Sequence, residues 1–152
     1  MSEIKDTLGM LANDDLSTVE RIILASTSTV QDLLSVIFGT PVRVEVISQL
    51  NYDTVLVRWA KLIADDPDPQ TVALAESVIP YKTNNPEFIG MMEDRDIGIG
   101  YAINRLGITT ERHILGVTIN DDTFARTYQI RGDMIDVLIT EIFNRELYRG
   151  LK

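Results

Sequence analysis

Between Phe124 and Phe143 the chain reads FARTYQIRGDMIDVLITEIF, and this stretch narrows the possible folds more than any other. Its apolar residues recur every second position. Phe124, Tyr128 and Ile130 share one side of a first segment with Arg126, and Ile135, Val137, Ile139 and Phe143 share one side of a second with Glu141. Side chains alternate across a strand, so the pattern is that of a β-hairpin. Each strand turns one ionisable group toward its apolar face. Removing the partner of a buried charge costs about 3–5 kcal/mol, so groups of this kind are either paired internally or kept for a ligand.

The rest of the chain supplies the partners such a hairpin needs. Ser17-Thr-Val-Glu20 is a capping box ahead of Val19, Ile22 and Ile23, which predicts a helix ending near Ala25. The tail before Ser17 reads as a short helix or a loose segment. The Ser/Thr run from Ser26 to Thr29 starts a second helix, with Val30, Leu33, Leu34 and Ile37 on one face and Gly39 as its stop. After Pro41 the period changes to two: Val42, Val44 and Val46 alternate along a first strand. Asp53 to Ile63 is a second strand and Val72 to Pro80 a third, with the polar loop Asp65-Asp-Pro-Asp-Pro69 between them. Asn85-Pro86 opens a short helix through Met92, and Ile97 to Leu106 forms another, closed by Gly107. Thr110 to Ile119 returns to strand and runs through Asn120-Asp-Asp122 into the hairpin. Strands joined by tight turns pair antiparallel. The expected class is therefore α+β: residues 1–152 as a single domain, with a six-stranded antiparallel sheet, N-terminal helices, and two short inserted helices enclosing a ligand pocket.

Charge and residue usage limit the chemistry. A formal net charge of −9 argues against nucleic acid and anionic membranes as partners, although a local arginine pocket can still take a small anion. Without cysteine there are no disulfides or thiolate metal sites, and His113, the single histidine, cannot build a multi-histidine one. No apolar run approaches the ~20 residues that span a bilayer. The start, MSEIKDTLG, is acidic and polar, unlike a secretion leader, so a cytoplasmic location is expected.

Four positions could carry chemistry. A carboxyl on an apolar face resists ionisation, which makes Glu141 a candidate general acid; the alternatives are a solvated edge or an arginine partner. Arg58, in TVLVRWAKL, shares its side with Leu56, Ala60 and Leu62 and offers a planar fork suited to a carboxylate. Trp59 shares the other side with Val55, Val57 and Ile63, so alternation leaves open which face is inward. Arg126 can hold an anionic group or neutralise Glu141 or Glu76. Asp96-Ile-Gly-Ile-Gly100 lacks the lysine of a phosphate loop, but small residues at a helix start expose backbone N–H groups, with the Ile99 amide the natural candidate. His113 reads as a surface or satisfied residue, and Asp65, Asp66 and Asp68 as a solvated turn.

The segments LVRWAKL, ALAESVIP, GIGYAI, FARTYQIRG and VLITEIF, followed by ELY, stand in an order that resembles chorismate pyruvate-lyase and its relatives. The resemblance runs from about Leu16 to Tyr148. It implies a cofactor-independent enzyme that cuts chorismate into 4-hydroxybenzoate and pyruvate, on a six-stranded antiparallel sheet whose site is enclosed by the inserted helices. It also implies roles for this chain's residues. Arg58 would bind the ring carboxylate with help from the Ile99 amide. Glu141 would lie at the ring's 4-oxygen and protonate the departing ether, and Arg126 would lie near the enolpyruvyl carboxylate. Glu76 departs from the pattern, because the better-known bacterial enzymes carry an arginine there. The same architecture also serves as the effector-binding domain of some bacterial transcription regulators. A non-catalytic protein binding a small aromatic carboxylate is therefore the alternative. A structural domain with buried Arg–Glu pairs and no pocket is a third reading.

Overall fold

A computed structural model describes residues 15–151. The stretch before Asp15, including most of the tail and the polar start discussed above, lies outside the described residues.

Helix α1 (Thr18–Ala25) begins at the capping box as the sequence predicts. The Ser17 hydroxyl accepts from the Glu20 N–H, and the Glu20 carboxylate accepts from the Ser17 N–H at 2.9 Å. Helix α2 (Val30–Phe38) stops at Gly39, whose φ of 67° is the left-handed conformation that a residue without a Cβ adopts freely. Strands β1 (Val42–Asn51), β2 (Val55–Ala64) and β3 (Gln70–Pro80) form one antiparallel meander. Helices α3 (Pro86–Glu93) and α4 (Ile99–Arg105) follow. Strands β4 (Thr110–Ile119), β5 (Thr123–Gly132) and β6 (Ile135–Asn144) then form a second meander. A final short helix, α5 (Arg145–Arg149), is not anticipated in the sequence reading. Helix α4 starts two residues later than its sequence pattern suggests, because Asp94 to Gly98 forms a connecting turn rather than helix.

The α+β class holds as predicted. One open six-stranded sheet runs in the order β1-β2-β3-β6-β5-β4, with all neighbours antiparallel. The meanders meet along β3 and β6, from Leu74 opposite Ile142 to Val78 opposite Leu138. Because β3 is central and β4 lies at the far edge, the intervening chain must cross one face of the sheet, and it carries α3 and α4 across that face.

That face holds two apolar clusters. One lies beneath α1 and α2 and includes Ile23, Leu34, Leu62, Phe124, Phe143 and Tyr148. Phe124 stacks on Phe143 with ring centres 4.8 Å apart, and the Tyr148 ring stands edge-on to both. The other lies beneath α3 and α4 and includes Leu56, Ile79, Phe88, Met92, Ile130 and Val137. Leu56 and Leu62 share a parity on β2, as do Phe124 and Ile130 on β5 and Val137 and Phe143 on β6, so both clusters occupy the same side of the sheet. Arg58, Ser77, Arg126 and Glu141 are buried on the strip between them. The opposite face leaves Trp59, Leu74 and Leu138 partly exposed.

Candidate functional site

The ambiguity at Arg58 and Trp59 resolves in favour of the arginine. Arg58 is 2% exposed and Trp59 is 38% exposed. A bulge in β1 between Val46 and Ser48 contributes, because it shifts the register so that Gln49 comes to lie opposite Arg58. The Arg58 Nε–H donates to Gln49 Oε1 at 2.9 Å. Its Nη1 donates to the Ile97 carbonyl at 2.5 Å, and its Nη2 to the carbonyls of Met92 at 2.7 Å and Asp94 at 3.3 Å. Arg58 thus pins the end of α3 and the turn leading into α4. Among the described residues no carboxylate lies within ion-pairing distance of it. Burial lowers its guanidinium from its usual value to about 10. The charge of Asp94 opposes that fall and the charge of Arg95 adds to it.

The other two buried arginines have carboxylate partners. Arg145 on α5 donates through Nε to Glu20 Oε2 at 2.8 Å, tying α1 to the end of β6. Arg126 faces Glu141 across the β5–β6 ladder, and its Nε donates to Glu141 Oε1 at 2.7 Å. Its Nη1 donates to the carbonyls of Ile23 at 2.9 Å and Ser26 at 2.5 Å, the C-terminal end of α1. Its Nη2 is buried with no partner among the described residues. Of the alternatives for Arg126, the structure shows the pairing with Glu141. Arg126 latches α1 to the sheet and does not line the cavity described next.

That cavity has a volume of about 70 Å³ and lies in the strip between the apolar clusters. Arg58 and Glu141 both line it, and Ala60, Ala75 and Ser77 contribute small side chains between them. Arg58 lies opposite Ser77, Ala60 opposite Ala75, and Ala75 opposite Glu141. Two strand spacings and two residues along the strand put roughly 12 Å between the Arg58 and Glu141 backbones. Gly98, Ile99 and Gly100 cover the cavity from the start of α4, where the first N–H groups of a helix have no intrahelical acceptor. The hollow has room for roughly five water molecules, so it is tight for a ring bearing a carboxylate.

Glu141 is 1% exposed and is not a solvated edge residue. Oε1 takes the Arg126 hydrogen bond, and Oε2 accepts from the Tyr128 hydroxyl at 2.8 Å. Burial, reinforced by the charge of Glu141, raises the Tyr128 phenol well above its ordinary value, so this hydroxyl keeps its proton. Tyr128 also lines the cavity, and its oxygen accepts from Arg112 Nη1 at 3.3 Å. Sequence reading did not single out Tyr128 or Arg112. Tyr128 was one aromatic among the apolar positions of its strand, and Arg112 sat in the weakly alternating TTERHIL.

Glu76 is placed away from these residues. Ala75 and Ser77 on either side of it line the cavity, so alternation turns Glu76 to the opposite face of the sheet. His113 lies 3.3 Å from the Glu111 carboxylate near the surface, and Arg43 reaches Asp65 in the β2–β3 loop. Among the described residues no group of histidine and carboxylate side chains could hold a metal ion, and no helix is long and apolar enough to cross a membrane. No family model and no curated protein matches the chain.

Proposed function

We propose that the cavity binds a small aromatic carboxylate, and that the chain is a cofactor-independent lyase releasing pyruvate from chorismate, the activity its sequence resemblance implies. One observation carries the binding half of this reading. Arg58 is a buried cation on the cavity wall that has hydrogen-bond acceptors but, among the described residues, no carboxylate within ion-pairing distance, whereas Arg126 and Arg145 each have a glutamate. A bound carboxylate would supply the missing charge in a site where charge-assisted hydrogen bonds are strong. The apolar walls at Ile99, Ile130 and Ile139 suit a ring.

Glu141 stands across the small-residue floor from Arg58 and supports the catalytic half. Loss of the enolpyruvyl group breaks a ring C–O bond and removes a proton from the neighbouring ring carbon. The departing fragment takes up one proton to become pyruvate. The reaction is redox-neutral, consumes no water, and is driven by aromatisation. In this reading the Glu141–Tyr128 pair exchanges the proton with the ether oxygen, and Arg58 fixes the ring carboxylate at the other end. General acid help of this kind is worth about 10²–10⁴-fold.

A second reading, non-catalytic binding of an aromatic acid, is favoured by the saturation of Glu141: both oxygens already accept hydrogen bonds, so catalysis needs one of these to be given up. Incubating the purified protein with chorismate and assaying 4-hydroxybenzoate and pyruvate by chromatography separates the two. Stoichiometric release of both products, lost in Glu141→Gln while 4-hydroxybenzoate still binds, is the expected result. Saturable binding of aromatic acids without pyruvate release would leave only the binding reading. Undiminished turnover in Glu141→Gln would remove that residue from the mechanism.

A further inference from the structure

The proposed ligand carries two carboxylates, and the residue expected from sequence to hold the second is already committed. Arg126 gives Nε to Glu141 and Nη1 to two carbonyls of the α1 terminus, and although its Nη2 has no partner among the described residues, it is absent from the cavity wall. Arg112 on β4 is differently placed. It lies opposite Ile130, a cavity residue, so its side chain projects from the same face of the sheet. It lines the cavity, and its guanidinium lies 5.4 Å from the centre of the Tyr128 ring. Among the described residues it has no carboxylate partner. Its side-chain hydrogen bond within the described residues is the 3.3 Å contact to the Tyr128 hydroxyl, long for a charged donor. A second groove, of about 1060 Å³ and open to solvent, adjoins the cavity, and Thr29, Gln31, Gly100 and Arg112 line both.

We infer that Arg112, at the junction of groove and cavity, binds the second carboxylate of a dianionic ligand whose first carboxylate is held by Arg58. The inference rests on the proposed binding of an aromatic carboxylate and assigns its second anion site. The two arginines stand at opposite ends of the strip. Four strand spacings, roughly 19 Å, separate β2 from β4, and two long side chains reaching inward leave space between their tips for one ring. Glu141 and Tyr128 lie between them, at the point where a substituent joining ring and second carboxylate would pass. Arg112 also explains how a strongly acidic chain can admit a dianion. Its charge is half-exposed at the mouth, where it offsets the protein's overall repulsion of anions. Glu76, on the far face, has no part in this recognition.

The test compares two stable probes that differ by one carboxylate, 3-(carboxymethoxy)benzoate and 3-methoxybenzoate, by calorimetric titration of the full chain. The wild-type protein is expected to bind the dianion at least about tenfold more tightly than the monoanion. Arg112→Gln is expected to weaken the dianion about ten- to a hundredfold, the scale of a hydrogen bond to a charged group, and to leave the monoanion within about twofold. Equal wild-type affinity for the two probes, or an equal loss for both in Arg112→Gln, overturns the role of Arg112 while the aromatic-acid site stands. Failure of the wild-type protein to bind either probe overturns both. Should Arg112→Gln not fold, the wild-type comparison decides the question alone.

Discussion

The charge of Arg58, paired with no carboxylate among the described residues, gives a quantitative expectation for ligand binding. Burial lowers its guanidinium to about 10, so keeping the cation in the fold costs free energy at neutral pH. Below pH 10 the residue is protonated in both folded and unfolded chains, so that cost is fully present at neutral pH; it fades only as pH rises above about 10 toward the unfolded-state value. A ligand carboxylate would supply a counter-charge that this guanidinium lacks among the described residues. Arg58→Gln should therefore weaken 4-hydroxybenzoate by roughly 1.5–3 kcal/mol, or about ten- to 150-fold. Part of that loss would come from the connector into α4, because the carbonyls of Met92, Asp94 and Ile97 would lose their donor. Arg58→Lys separates the two effects: it keeps the charge but lacks the fork that reaches three carbonyls, and it should fall between wild type and Arg58→Gln. Calorimetric titration gives the affinities and thermal unfolding gives an independent check. At a hundredfold excess over Kd a ligand adds about 2.7 kcal/mol, which in a chain of this size raises Tm by roughly 5–11 °C. Equal affinity of Arg58→Gln and wild type for 4-hydroxybenzoate would refute the reasoning, because it would show that the buried cation does not face the ligand.

Two further expectations concern the frame of the site. Burial pushes the Glu20 carboxyl upward, but the hydrogen bonds from Arg145 and Ser17 and the Arg145 charge outweigh it, so the group sits below its usual value. A carboxyl lowered on folding stabilises the protein above the unfolded-state value and loses that contribution as pH falls through the folded one. Urea midpoints should accordingly drop in acid, Glu20→Gln should flatten part of that drop, and Arg145→Ala should cost about 3–5 kcal/mol at neutral pH; a loss below 1 kcal/mol in Arg145→Ala would contradict the pairing. The glycines offer a contrast. A Cβ on Gly132 would lie 2.7 Å from the Thr109 carbonyl oxygen, whereas one on Gly90 in α3 meets nothing within 4 Å. Gly132→Ala should destabilise by about 1–3 kcal/mol and Gly90→Ala should stabilise by about 0.5–1 kcal/mol, both measurable by denaturant unfolding.

The elements with a local signature were legible in the sequence. Ser17 and Glu20 announced α1, Gly39 ended α2, β4 was expected over its observed range, and the period of two placed β5 and β6 within a residue or so. The inward arginine of β2 was not legible, because LVRWAKL is apolar on both faces and the bulge that brings Gln49 opposite Arg58 leaves no mark in β1. Pairing across the hairpin was foreseeable only as a choice, since whether Arg126 meets Glu141 or Glu76 depends on strand order, and order is a property of the assembled sheet. The Glu20–Arg145 pair was hidden for a similar reason. Glu20 was visible as a capping residue, and its second partner lies 125 positions away. Arg112 was passed over because a bulge between Ile114 and Gly116 breaks the alternation of β4 that would have assigned it a face.

The double duty of Glu20 bears on how the chain reaches its native state. One carboxylate both caps the first described helix and neutralises a guanidinium from α5, so that helix is completed by a residue synthesised long after it. A nascent or truncated polypeptide that stops short of residue 145 would leave the same carboxylate without its counter-charge. Formation of the amino-terminal packing is thereby coupled to arrival of β6, and such long-range closure slows folding. The emerging segment would stay exposed to proteases and chaperones until the second meander is in place.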